Sequence, residues 1–430
     1  MKFILPRDKE ITIEVVADLI EQHQLLIPLY LEDKNMYEGI YDILTQEEKE
    51  LGKPDNRLVV NFAKYIVDIS EGFFIGIPVK VTHEDERVNE FVTEFRNMNS
   101  MADKESELSK VAAIYGHSFE YLYQDEEAHS KVVYNSPLDM FLIYDDSIEQ
   151  KVVAAVRYFL IKDELHGELI TGTEIFQLGG TIDDPTFNDS TPHYYGEVPV
   201  IEYVQNEERH SVFEPVKTLI NGLNKALSEK ANDVDYFADA YMKIIGALLD
   251  EDTIKEVKDN RIINLAGDGA EKVVVEFMEK PNADETQENL IDRLIDLIYQ
   301  MSMTANMNDE AFSGTISGVA MEYKLQGMKS MSLMKERKFQ GSMQKRYRML
   351  FRLPTNVEAS KRDEWSNIRF QFTRNIPKNL ELEAETMAKM EGVTSKETQL
   401  GVSSLVDEPK KEIERMQKEE EPEPVYDFEK

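Results

Sequence analysis

The residues best suited to metal chemistry are two carboxylate pairs, Asp145-Asp146 and Asp183-Asp184, which could hold Mg²⁺ or Ca²⁺ through oxygen ligands. A divalent-metal nuclease would need such a pair. Both lie in turn-rich stretches, where Asp hydrogen-bonds its own backbone. In a chain with 83 Asp plus Glu against 49 Lys plus Arg they read as turn caps. His23, His83, His117, His129, His166, His193 and His210 are scattered, and no two stand four apart with a Glu between them, so a zincin site is excluded. Cysteine is absent, which removes disulfides, thiolate metal sites and thiol nucleophiles. Gly52-Lys53-Pro54 is no phosphate loop, because proline breaks the helix needed behind it. Residues 313–318 (SGTISG) have the small side chains of a phosphate cradle but neither a preceding strand nor a lysine. A Gly-x-Ser-x-Gly elbow is missing as well. No metal, cofactor or catalytic residue is expected.

The 430 residues carry a formal charge of −34. That argues against a free-standing nucleic-acid binder, which needs a basic face to release phosphate counterions. It equally disfavours an anionic membrane, and no uncharged apolar run approaches the ~18 residues of a membrane span. The first residues do not read as a signal peptide, so a soluble protein made in the cytoplasm is expected.

Residues 9–50 read as helical, 57–82 as a helix passing into a strand, and 105–123 as a helix and strand broken at Gly116. Short β-rich runs follow at 131–134, 141–143, 152–160, 174–177 and 198–203. The first 210 residues thus read as one α+β domain. Between Phe213 and Ile245 apolar residues recur at three-to-four spacing, with Ser211 and Glu214 placed as a capping box. A helix of ~33 residues would be about 50 Å long, more than a compact core needs. An acidic insert follows, with strand-like runs at 261–265 and 272–277 around a turn expected to make a hairpin. A second helix starts with Asp284 and Gln287 as caps and buries a stripe from Leu290 to Met301. After a Gly/Ser/Asn loop at 304–318, another long helix runs from Val319 to about Leu353, with nine Lys or Arg against two Glu. Its basic residues Lys324, Lys329, Lys335, Arg337, Lys338, Lys345 and Arg346 read either as a solvated face or as partners for carboxylates of another subunit. The methionines crowded into 301–349 read as helix filling or as contacts that slide and repack. Residues 367–374 alternate as a strand, and the rest is helical and polar with an acidic tail.

This order of elements resembles the portal proteins of tailed bacteriophages, in particular the type common in long-tailed phages of Gram-positive hosts. The carriers are NFAKYIVD at 61–68, GFFIGIP at 72–78, FEPVK at 213–217, NDVDYFADAY at 232–241, SGVA at 317–320 and KERKF at 335–339. Each is a packing or capping pattern and none is catalytic; their order and spacing make the resemblance specific.

The resemblance implies an α+β portal fold and a homo-oligomeric ring, usually of twelve subunits, at one capsid vertex of the virion. Double-stranded DNA passes through such a ring without sequence specificity. Residues 1–210 and 318–377 would form the wing, 211–245 and 284–304 the stem helices, 246–283 the clip, 305–317 the tunnel loop and 378–430 the crown. The clip, with Asp259, Arg261, Asp268, Glu271 and Lys272, would face the terminase large subunit and later the head–tail connector. Major capsid and scaffolding proteins would surround the ring. The tunnel loop would touch DNA through Asn306, Met307, Asn308, Asp309, Glu310 and Phe312, among which there is no Lys or Arg. The competing readings are another capsid-associated adaptor or minor head protein without a channel, and the metal nuclease. Two long helices flanking a β excursion weigh against the adaptor, and an assay for Mg²⁺-dependent nuclease activity, expected to show none, separates the nuclease.

Overall fold

The computed structural model describes residues 2–50, 53–238, 242–245, 274–277, 284–307, 323–375, 380–402, 406 and 409–420. The chain is α+β, in two units: Met1–Asn306 with Gly327–Thr373, and Met307–Gln326 with Arg374–Lys430.

In the first unit, strand β1 (Phe3–Leu5) is followed by helices α1 (Ile13–Gln24), α2 (Ile27–Glu38), α3 (Asp42–Thr45) and α4 (Phe62–Ile75). The stretch 9–50, expected to be helical, is broken at Leu25–Leu26 and again at Gly39, whose φ of 87° ends α2 in a left-handed cap. Strand β2 (Lys80–Thr82), α5 (Glu86–Met98) and α6 (Met101–Tyr115) come next. Gly116 then turns the chain into β3 (His117–Gln124), with φ at 85°. A Cβ at Gly116 would lie 2.0 Å from the Arg209 carbonyl oxygen, so both conformation and space demand glycine.

Strands β4 (Ser130–Asn135), β5 (Met140–Asp145), β6 (Val152–Ile161), β7 (Glu164–Ile170), β8 (Glu174–Gly180), β9 (Pro185–Pro192) and β10 (Val200–Val204) complete the β-rich part. They form a six-stranded sheet, β1-β5-β6-β7-β8-β9, and a three-stranded sheet, β10-β3-β4. Only β1 and β5 run parallel in the larger sheet. The side-chain period of two sorts the layers. On β5, Phe141 and Ile143 pack under α1 with Val16 and Ile20, whereas Met140, Leu142 and Tyr144 face Phe119 and Tyr121 of the other sheet.

A 3₁₀ turn (Glu214–Val216) leads into α7 (Lys217–Ala238). The expected capping box is incomplete: the Ser211 hydroxyl reaches the Glu214 carboxylate at 3.4 Å instead of a backbone N–H. The helix expected to run to Ile245 ends at Ala238, and Met242–Ile245 forms strand β11, antiparallel to β12 (Val274–Phe277). β-branched residues on both segments favour the pleated ladder over another helical turn. Residues 261–265, expected to be the hairpin partner of 272–277, lie outside the described residues.

Helix α8 (Asp284–Ser302) packs antiparallel on α7 through Ile220, Leu223, Ile291 and Ile298, and α9 (Gln326–Leu350) is the long basic helix. Strand β13 (Arg369–Gln371) pairs with β2. The second unit contains α10 (Leu380–Met390), α11 (Lys396–Val402) and α12 (Pro409–Glu420).

Candidate functional site: a rooted loop and the helix behind it

The α7/α8 pair is tied by polar as well as apolar contacts. Gln287, expected to cap α8, donates instead to Asp233 across the pair at 2.9 Å, and Lys230 bonds Glu288. At the far end of α8, Tyr299 stacks edge-on against Phe62 and Tyr65 of α4, with centroids 5.5 and 5.9 Å away.

Residues 303–305 and 327–328, which flank 306–326 in sequence, lie against each other in the first unit. Met303 turns the chain out of α8 with φ at 54°, and Thr304 and Ala305 are buried behind it. The Tyr65 hydroxyl donates to the Ala305 carbonyl at 3.2 Å. The Ala305 N–H lies 3.4 Å from the thioether of Met328 in the first turn of α9. Gly327 is pressed against the other foot: a Cβ there would come within 3.3 Å of Met303 Cβ.

Two buried charge clusters fasten α9. Lys335 donates to Glu71 of α4 at 2.6 Å and to the Ser109 carbonyl of α6 at 3.1 Å, while the Ser109 hydroxyl bonds the other Glu71 oxygen. Burial holds the Lys335 ammonium below its ordinary pKa, with Glu71 opposing that shift. Eleven residues on, Arg346 bonds Glu120 of β3 through Nε at 2.5 Å and Nη2 at 2.8 Å, and Glu105 of α6 through Nη1 at 2.6 Å. Burial works against this guanidinium, but Glu120 and Glu105 outweigh it and raise its pKa far above normal. The Tyr203 hydroxyl of β10 donates to Glu120, and Arg96 bonds Glu105.

Lys335 and Arg346 therefore do not stand at subunit contacts: their charges are consumed inside their own subunit. The signal was in the spacing. Met328, Ser332, Lys335, Phe339, Ser342, Met343, Arg346 and Leu350 share the three-to-four register of the buried face. Of the other basic residues, Lys338 bonds Glu207 at 2.5 Å, Lys329 is half-buried, and Lys324, Arg337 and Lys345 are exposed. Asn306 is half-buried and Met307 exposed. Asn308, Asp309, Glu310 and Phe312 lie outside the described residues, as do Asp259, Arg261, Asp268, Glu271 and Lys272. The methionines divide: Met328, Met343 and Met349 are core, while Met301, Met303 and Met334 are at least half exposed. Asp145 acts as a turn cap, accepting from the backbone of Ser147 and Lys151.

The site is thus a mechanical arrangement: a helix pair, two points of the chain, at 303–305 and 327–328, held side by side, and a helix bolted to the sheet behind. The family model described as "Phage portal protein, SPP1 Gp6-like" matches residues 16–424. The portal protein of Bacillus phage SPP1 is 24% identical over 408 residues, covering 88% of this chain and 79% of that protein. The portal protein of Clostridium phage phiCD119 is 23% identical over 399 residues, covering 84% and 86%. Among solved structures, a chain from the neck of a native GTA particle computed with C12 symmetry overlays with a TM-score of 0.46 at 11% identity, covering 81% of this chain and 89% of that one. A chain from the neck of an empty GTA particle computed with C6 symmetry gives 0.43 at 10% identity, covering 79% and 89%. With the family model running through both units, the chain belongs to the SPP1 Gp6-like phage portal proteins, structural components of the virion and not enzymes.

Proposed function

We propose that copies of this chain close into a ring, twelve in number, at one capsid vertex, and that double-stranded DNA is packaged and ejected through its axis. The observation that carries this reading is the apolar side chains that the α7/α8 pair leaves uncovered. Val234 of α7 and Leu290 and Met301 of α8 are 61%, 52% and 51% exposed, although the same helices bury Ile220, Leu223, Ile291 and Ile298 against each other. Long helices that leave apolar side chains in solvent gain from a laterally packed neighbour.

The loop rooted at Met303 and Gly327 would narrow the channel. Its residues Asn306, Met307, Asn308, Asp309 and Glu310 include no cation, which suits contact with any sequence without retention, because phosphate binding is supplied by Lys and Arg. The excursion between α7 and α8, residues 246–283, would be the clip and would dock the terminase large subunit, then the connector. The helical C-terminal segment would be the crown, with capsid and scaffolding proteins around the wing.

Negative-stain images of the purified chain test the ring directly. End-on views with a central hole and countable rotational symmetry are expected. A chain that stays monomeric across ionic strength and concentration, with no ring in images, overturns the reading.

A further inference from the structure

The first unit carries two patches of opposite charge. One is a cleft of about 890 Å³ along α9, lined by eight Lys or Arg against four Glu, in a chain whose overall excess is 34 negative charges. Several of these cations are occupied. Lys338 bonds Glu207, Arg348 bonds Glu197 at 2.6 and 3.0 Å, and Arg352 lies 2.9 Å from the same carboxylate. Arg337 and Lys345 are exposed and have no acidic partner among the described residues. Eight residues apart on one face, they stand about 12 Å from each other along the axis. Between them Gly341 opens the cleft floor. A Cβ at Gly341 would meet nothing within 4 Å, so internal packing does not ask for glycine. Mid-helix glycine nevertheless costs about 1 kcal/mol relative to alanine. The missing side chain leaves room for something from outside.

The second patch is on α5. Glu86, Glu90 and Glu94 are exposed at successive i, i+4 positions, with no cationic partner among the described residues. Eight residues from first to last give the same spacing of about 12 Å. Val88, Val92 and Phe95 are buried on the opposite side of α5, where Phe95 meets Tyr347 of α9 and Phe91 meets Phe351 just past its end. On α9, Tyr347 lies about 120° around the helix from Gly341 at the centre of the cleft. The glutamate stripe and the cationic cleft therefore point away from each other and cannot satisfy one another within one chain.

We infer that the Glu86–Glu90–Glu94 face of α5 in one copy docks into the Arg337–Lys345 cleft of the next, with α5 lying over Gly341. The inference rests on the ring reading above. A contact between unlike patches of identical subunits is head-to-tail, the kind that closes into rings. Matched charge rows of this type fix register and speed encounter, and they weaken as salt screens them.

The test follows assembly of the full-length chain by mass photometry against protein and salt concentration. Arg337→Glu with Lys345→Glu is expected to raise the concentration for half-assembly about tenfold or more, and so is the triple change Glu86→Lys, Glu90→Lys, Glu94→Lys. All five changes together are expected to bring it back to within about threefold of the parent. Gly341→Trp weakens assembly without a charge change, by filling the floor. These positions are exposed or open, so thermal unfolding of each variant stays with the parent, which separates lost docking from a lost fold. Rings that survive both charge reversals overturn the interface and leave the ring standing. Loss on each reversal without recovery in the combination also overturns it, because each patch would then have another partner, such as nucleic acid at the cleft. A parent chain that never assembles overturns the ring and the interface together.

Discussion

Arg346 of α9 and Glu120 of β3 meet with neither side chain exposed to solvent, joined by hydrogen bonds of 2.5 and 2.8 Å. Glu105 takes the remaining guanidinium arm, so one cation answers two carboxylates that Arg96 and Tyr203 also serve. Such a cluster adds little net stability over apolar packing, because desolvation offsets most of the attraction. Removing one member is a different matter, since the others remain buried and uncompensated.

Arg346→Met is therefore expected to destabilise the subunit by about 3–5 kcal/mol. Combining it with Glu120→Gln, which leaves Glu105 paired with Arg96, recovers a good part of the loss. Denaturant midpoints of the single and double variants measure both, and a neutral single substitution contradicts the cluster's role.

His23 is buried and neutral. Its Nε2–H donates to the Pro137 carbonyl at 2.8 Å, and its Nδ1 accepts from the Tyr158 hydroxyl at 2.7 Å, which itself accepts from Gln24. Burial lowers its pKa from 6.5 to about 4, with His117 adding to the effect. The unfolded chain binds the proton first, so this contribution is present above pH 6.5 and is lost as pH falls toward 4. The loss reaches about 3 kcal/mol at the acid end. His23→Gln is expected to flatten the stability profile across that window relative to the parent, measured by urea unfolding at half-unit pH steps.

Gly327→Leu places a side chain where even a Cβ would come within 3.3 Å of Met303. The overpacking is expected to cost about 1–3 kcal/mol and to separate the two feet of the loop. Limited proteolysis should then cut between 306 and 326 faster than in the parent, while the sheets stay protected. Unchanged cleavage would mean that the feet are not held by this contact.

Charge at the loop is the functional prediction. Asn306→Lys with Asp309→Lys is expected to strengthen DNA contact and to slow or stall packaging, with the delay relieved by salt. Packaging at the parent rate after charge reversal across 306–310 would show that loop charge is immaterial.

What the sequence made legible follows strong local chemistry. Gly116, the helical spacing from Leu290 to Met301 and the apolar runs of β5, β6 and β10 announced their elements within a residue or two. Leu290 and Met301 themselves, expected to be buried, are half exposed. Strand β9 (PTFNDSTP) did not, because an exposed edge strand carries little apolar alternation and its pairing with β8 decides its state. Helix α7 looked longer than it is, because helical spacing continues through residues that a distant strand captures. The charge clusters were misassigned for a related reason. Lys335 and Arg346 are basic by type but core by register, and their partners Glu71, Glu105 and Glu120 lie more than 200 positions away in sequence.

The spacing of those two clusters gives α9 a property that a purely apolar seat would not. Leucine against leucine slides, since dispersion contacts are remade as they break. A desolvated ion pair does not, because every increment of separation exposes an uncompensated charge to a low-dielectric surround. With one such fastening at Lys335 and another at Arg346, α9 is pinned at two stations about 16 Å apart along its axis, the first on α4 and α6 and the second on α6 and β3. A pull along α9 from its Gly327 end would have to part a desolvated ion pair before the helix could shift.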